Sequence, residues 1–155
     1  MLLNVSEDMQ VDTAPPEVWK LLRDTRRLAG LLPGVESIEV LDRPGQEAYG
    51  ARVTEKVGPF KLSLKLEVEI TETSEPVLLK ASLKGADPLG LNRVTGALQI
   101  ALSARPPGTH VLFEASVEIL GRLATLGAPV VRRRTTELFS QFARRIHAQF
   151  VQVHP

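Results

Sequence analysis

No cysteine occurs among the 155 residues, which excludes a disulfide framework, a thiolate nucleophile and any cysteine-ligated metal. Histidine is scarce as well. His110, His147 and His154 are scattered and form no H-x-x-x-H pair, so no metal site is expected. No apolar run approaches the roughly 18 residues of a membrane span. The opening "MLLNVSEDMQ" meets acidic residues at once, without the basic and apolar regions of a signal peptide. A cytoplasmic protein is therefore expected. Hydrolase and nucleotide signatures are also missing: there is no G-x-S-x-G elbow, no phosphate-cradling glycine loop and no H-E-x-x-H. Aromatic residues number seven, five Phe, one Trp and one Tyr. Nucleic-acid binding would need basic residues interleaved with exposed aromatics, and the phenylalanines of the basic C-terminal segment are needed inside.

What is present is strong alternation. From 60 to 70 every second residue is apolar (Phe60, Leu62, Leu64, Leu66, Val68, Ile70), separated by Lys61, Ser63, Lys65, Glu67 and Glu69. Successive strand side chains point to opposite faces, so this is a strand with one wet and one dry face. At about 3.4 Å per residue it spans about 37 Å. Further strands are expected near 3–12, 35–42, 47–57, 77–86, 92–104 and 109–120. Proline and glycine turns divide them at 43–45, 58–59, 75–76, 87–90 and 106–108, and such short connections imply an antiparallel meander. Between the first two strands, "TAPPEVWKLLRD" starts a short helix with prolines in its first turn. Asp24 can cap a second, with Leu28, Leu31 and Leu32 inward, which Pro33-Gly34 ends.

The last segment, 122–151, reads as one long helix of about 30 residues and about 45 Å. Val131, Thr135, Leu138, Phe142, Ile146 and Val153 form its apolar stripe, with Phe139 and Phe150 at the flanks. Pro129 falls in its first turns, to be tolerated or to kink the start. A one-sided sheet must bury its dry face, and this helix is the only element long enough to cover 60–70. Charge is unevenly placed. From Arg122 onward six arginines face one acid, Glu137, so that a total of +1 leaves the first 121 residues at −4. The whole chain, 1–155, reads as a single domain.

The order strand, two short helices, six strands, long helix resembles the helix-grip fold of START lipid-transfer domains, the major birch-pollen allergen and polyketide cyclases. That is an α+β fold, a curved antiparallel sheet of about seven strands around a long C-terminal helix. More narrowly, "APPEVWKLLRDTRRLAGLLPGVESIEV", "YGARVTEKVGPFKLSLK", "VTGALQIAL" and "GRLATLGAPVV" are similar to the carbon monoxide dehydrogenase G-subunit family, over nearly the whole chain. The resemblance implies a cavity between sheet and helix for an apolar small molecule, a lipid or quinone. It also implies association with a molybdenum-containing carbon monoxide dehydrogenase and with the inner membrane. Many members continue into a membrane-binding tail, whereas this chain stops at Pro155; autonomous anchoring is not expected. The function expected is non-enzymatic ligand binding with no cofactor, as a membrane-recruitment or electron-shuttle accessory. The alternative is a cyclase or dehydratase-like enzyme using the same cavity.

The ligand-site candidates follow from phase. On 47–57, Tyr49, Ala51, Val53 and Val57 share the dry face, and Glu55 falls with them. An ionised carboxylate there must find a partner or be protonated. Either Glu55 meets a ligand headgroup, or it sits at the mouth or is turned outward by a bulge. Tyr49 is either a hydroxyl anchor or core. Many later inward positions are small, which leaves either unfilled volume or tight packing by bending of the sheet; the family resemblance implies the cavity. A pocket bordered by Tyr49, Val53, Glu55, Leu64, Leu66, Leu83, Leu98, Phe113, Leu138 and Phe142 is expected. Of the helix arginines, Arg133 and Arg144 face solvent, while Arg132, Arg134 and Arg145 flank the stripe. The five together form a candidate surface for an anionic membrane or an acidic partner.

Overall fold

The structure, a computed structural model, describes residues 1–150. Val153, counted on the apolar stripe, and His154 lie outside the described residues. The elements run β1 (Leu2–Val11), α1 (Pro15–Arg23), α2 (Thr25–Leu31), β2 (Val35–Leu41), β3 (Glu47–Val57), β4 (Phe60–Ser74), β5 (Leu78–Ala86), β6 (Asn92–Arg105), β7 (Gly108–Gly121), a 3-10 turn (Arg122–Leu126) and α3 (Ala128–Ala148). The seven strands form one antiparallel sheet in the order β1-β7-β6-β5-β4-β3-β2. The meander and both short helices expected from turn chemistry are therefore present. Asp24 caps α2 by accepting from the Arg27 amide at 3.2 Å.

The final helix is shorter than the sequence suggests. Instead of one element over 122–151, a 3-10 turn is followed by Gly127 at φ +87° and a helix of 21 residues. That is about 32 Å rather than about 45 Å. The physical reason is local. Gly127 takes a backbone conformation that helical residues cannot, and Pro129 in the first turn cannot donate the amide that would join the two pieces. The kink anticipated at Pro129 is thus a full break one residue before α3.

Register places one face of every strand inward. Across the sheet run rows such as Leu3–Val117–Gly96–Leu83–Val68–Tyr49. The tightest part of the core lies under β1, β6 and β7, where Leu3, Val11, Ile100, Val111 and Phe113 are buried with Val18, Trp19, Leu21 and Leu22 of α1. From α3, Val131, Phe142 and Ile146 are buried. Phe113 packs against Phe139 at 5.1 Å between ring centroids and meets Phe142 edge-on at 5.9 Å, a favourable aromatic geometry. α3 packs mainly against β1 and much less against β3, and the Ser140 hydroxyl donates to Glu7 Oε1 at 2.7 Å. The helix is therefore not centred over residues 60–70. Leu64, Leu66, Val68 and Ile70 remain half-buried.

Candidate functional site

The inner face changes character from β7 to β3. Under β7 it is closed; across β3, β4 and β5 it is only partly covered. Val53, Leu64, Leu66, Leu83 and Leu98, all named from the sequence as pocket wall, are half-buried, as is Leu138 on α3. Phe113 and Phe142 are different. At 5% and 7% exposure they are core, locked in the aromatic cluster, and form the closed end of the site rather than its wall. Two glycines on this face mark close approaches. Gly96 lies so close to β7 that an added Cβ would meet the Ser116 carbonyl at 2.5 Å, while at Gly85 it would overlap Leu66 Cδ2 and meet the Lys65 carbonyl at 3.1 Å. Leu66 thus lies flat across a position without a side chain.

Polar groups reach this face at its two ends. At one end Glu55 keeps its inward phase, opposite buried Leu62 in unbroken β3–β4 register; the bulges of the sheet lie elsewhere, at 35/37 and 70/72. Neither a bulge nor solvent explains it. Arg134 does: its Nη2 donates to Glu55 Oε1 at 2.5 Å, Nη1 to Glu137 Oε2 at 3.1 Å and Nε to the Lys56 carbonyl at 3.2 Å. The Glu55 side chain is 17% exposed, and its Oε2 is buried without a partner. Burial disfavours the Arg134 charge, but its bonds to Glu137 and Glu55 outweigh that and raise its pKa. Arg134 therefore has to be removed from the surface arginines. Arg132, Arg133 and Arg144 are exposed, and Arg145 is exposed while donating to the Leu31 carbonyl.

The other end carries a group that strand phase misses. Arg23, from the last turn of α1, donates to Glu47 Oε2 at 2.9 Å, and the Tyr49 hydroxyl donates to Glu47 Oε1 at 2.8 Å. The Arg23 hydrogen bond holds Glu47 below its ordinary pKa against the opposing effect of burial, with Tyr49 assisting. Arg23 Nη1 is buried and has no partner. Tyr49 is thus neither free anchor nor plain core; it is the outer member of a small network. Glu47 shares the phase of Tyr49, Val53 and Glu55 and is detectable by extending that phase by one residue pair. Arg23 is not, because nothing in the sequence shows which strand the end of α1 meets. His110, on the outer face, lies 3.0 Å from Asp8.

The inner face thus carries half-buried apolar residues on β3–β6 and two buried polar atoms without a partner, Arg23 Nη1 at one end and Glu55 Oε2 at the other. Comparison with known proteins supports the fold. The sequence profile of CoxG, the carbon monoxide dehydrogenase G-subunit family, matches residues 8–151. No curated protein matches the chain in sequence. Among solved structures, a conserved protein from Geobacillus kaustophilus superposes with a TM-score of 0.83 at 23% identity, covering 96% of this chain and 95% of that one. A START superfamily protein from Mycobacterium smegmatis gives 0.68 at 13%, covering 95% and 96%. Ara h 8.0201 gives 0.66 at 17%, covering 97% and 98%. At these identities the structural likeness establishes the fold. With most of its length matched, the chain belongs to the carbon monoxide dehydrogenase CoxG family, within the START-like helix-grip fold.

Proposed function

We propose that the space between β3–β6 and α3 binds an apolar small molecule with a polar head, of the lipid or quinone class, without chemical conversion. The observation that carries this reading is the graded closure of the inner face. Leu64, Leu66, Leu83 and Leu98 stay half-buried, whereas the inward residues of β7, Val111, Phe113, Ala115, Val117 and Ile119, are buried. Uncovered apolar surface inside a domain is costly, at about 25 cal/mol per Å², and an apolar ligand removes that cost. The unpartnered Arg23 Nη1 can donate to a ligand carbonyl, and Glu55 Oε2 can accept from a ligand hydroxyl.

Family membership supports an accessory role beside a carbon monoxide dehydrogenase-type molybdenum enzyme, with the ligand serving recruitment to the membrane or electron transfer. The cyclase or dehydratase alternative requires several polar groups converging on one reacting atom. The inward acids here are instead tied to arginines at opposite ends of the site, which favours binding. Among the described residues no helix is long and apolar enough to cross a membrane. The test is native mass spectrometry with solvent extraction of bound material, followed by titration with a quinone analogue. Leu66→Trp or Leu98→Trp is expected to fill the space and reduce binding at least tenfold while the domain stays folded. Parent-like binding by both variants would refute the site.

A further inference from the structure

A second feature lies on the opposite, outer face of the sheet. There the β3–β4 hairpin sets like charges directly across from one another twice: Arg52 faces Lys65, and Lys56 faces Lys61. Side chains so placed have Cβ atoms about 5 Å apart, and like charges there are destabilising. The row continues from Lys65 over Ala86 to Arg93 on β6. None of these five cations takes part in an ion pair among the described residues. This is not a uniformly basic sheet. On the same strands Glu67 pairs with Arg43 and Lys84, and Lys80 pairs with Glu72.

Arg52, Lys65 and Arg93 border a trough of about 630 Å³ whose lining includes Ser63, Ala86 and Thr95. Two acids also line it: Glu67, whose Oε1 pairs with Arg43 while Oε2 has only Lys84 at 3.5 Å and no hydrogen bond, and Asp87, held by the Leu91 amide at 2.7 Å and Asn92 Nδ2 at 2.9 Å. The cations extend about 14 Å along the strands and about 14 Å across them, too far for one phosphate or carboxylate. No aromatic lines the trough to stack a base. A flat bilayer cannot enter a concavity, whereas an extended polypeptide can, with hydroxyls and small side chains beneath it.

We infer that this trough is a docking site for an acidic segment of a partner protein, whose carboxylates relieve the repulsion within the Arg52–Lys65 and Lys56–Lys61 pairs. It lies on the face of the sheet away from the ligand space and does not depend on that reading. Binding is electrostatic and salt-sensitive.

The probe is a fluorescein-labelled octaglutamate peptide, titrated into the full chain at 50 and 300 mM salt and followed by anisotropy. Saturable binding weakened at least tenfold by the higher salt is expected. Lys65→Glu should reduce it at least tenfold and melt no lower than the parent, because it replaces a like-charge pair by an opposite one. Arg93→Gln should weaken it severalfold, and Arg132→Glu with Arg133→Glu, on α3, should change it less than twofold. Absence of saturable binding, or parent-like binding by Lys65→Glu, would overturn the assignment. So would tighter binding of an eight-nucleotide single strand or of phosphatidylglycerol vesicles through Arg52 and Lys65.

Discussion

Replacing Arg134 by Met tests whether α3 is fastened to the sheet by a carboxylate on its dry side. Met keeps most of the stem volume, so the loss is chiefly of the guanidinium. Three side-chain bonds go. Glu137 is 53% exposed, and a pair of that kind contributes at most about 1 kcal/mol. The Lys56 carbonyl, at the hairpin, can take a water instead. Glu55 is the costly partner: at 17% exposure, opposite buried Leu62, it is left as an unpaired charge. Stripping one partner from a fully buried pair costs about 3–5 kcal/mol. With Arg134 at 31% exposure the expected loss falls to about 2–3 kcal/mol. For a domain of this size that lowers Tm by about 5–10 °C. Urea denaturation with an unchanged m-value would locate the loss in the native state. Adding Glu55→Gln removes the stranded charge, so the double variant should be more stable than the two single losses summed, by at least about 1 kcal/mol. A coupling energy below about 0.5 kcal/mol would show the pair to be solvated surface and refute the reasoning.

Two further outcomes separate the open and closed parts of the inner face. Gly85→Ala should cost about 1–2 kcal/mol, because the atom it meets at closest range is the end of Leu66, which can swing into free space; Gly96→Ala, against the Ser116 backbone, should cost clearly more. Equal thermal losses would mean that Leu66 has nowhere to go and that the space is filled. For the exposed α3 arginines, sedimentation with anionic vesicles at low salt should recover more protein than with neutral vesicles or at high salt, at about 1 kcal/mol per basic residue near the surface. Equal recovery in all four conditions, unchanged by Arg132→Glu with Arg133→Glu, would leave those residues as ordinary solvated surface.

The strands are legible in the sequence because each has a single wet face, so polarity and period carry the same message. β4 alternates without interruption from Phe60 to Ile70 and then slips at the bulge before Glu72, where Thr71, Glu72 and Thr73 are all polar and the period gives no warning. Helix length escapes the pattern for a related reason. Leu123 and Leu126 continue an apolar spacing into α3, but Gly127 interrupts the backbone, not the pattern. Periodicity reports which side chains face inward; it is blind to a break that preserves facing.

The site divides the same way. Inward apolar residues follow from phase, but which of them remain uncovered depends on where α3 comes to rest, and that is set by long-range contacts such as Ser140 to Glu7 and Phe139 to Phe113. Phe113 and Phe142 therefore fall on the wall by phase and in the core by packing. The charged residues show the converse. Arg134 lies at the edge of the helical stripe, where angle alone allows either solvent or sheet, and Glu55 decides between them. A carboxylate inside and an arginine within reach select one another, because each alone is costly there. The same holds for Glu47 and Arg23 at the far end. Both acids thereby commit one oxygen or both to the fold: Glu47 uses both, on Arg23 and Tyr49, whereas Glu55 keeps Oε2 free. In the proposed site the buried polar atoms left for a ligand are Glu55 Oε2 at the α3 end and Arg23 Nη1 at the α1 end. That separation suits a molecule held along its length and gives no single atom to two catalytic groups.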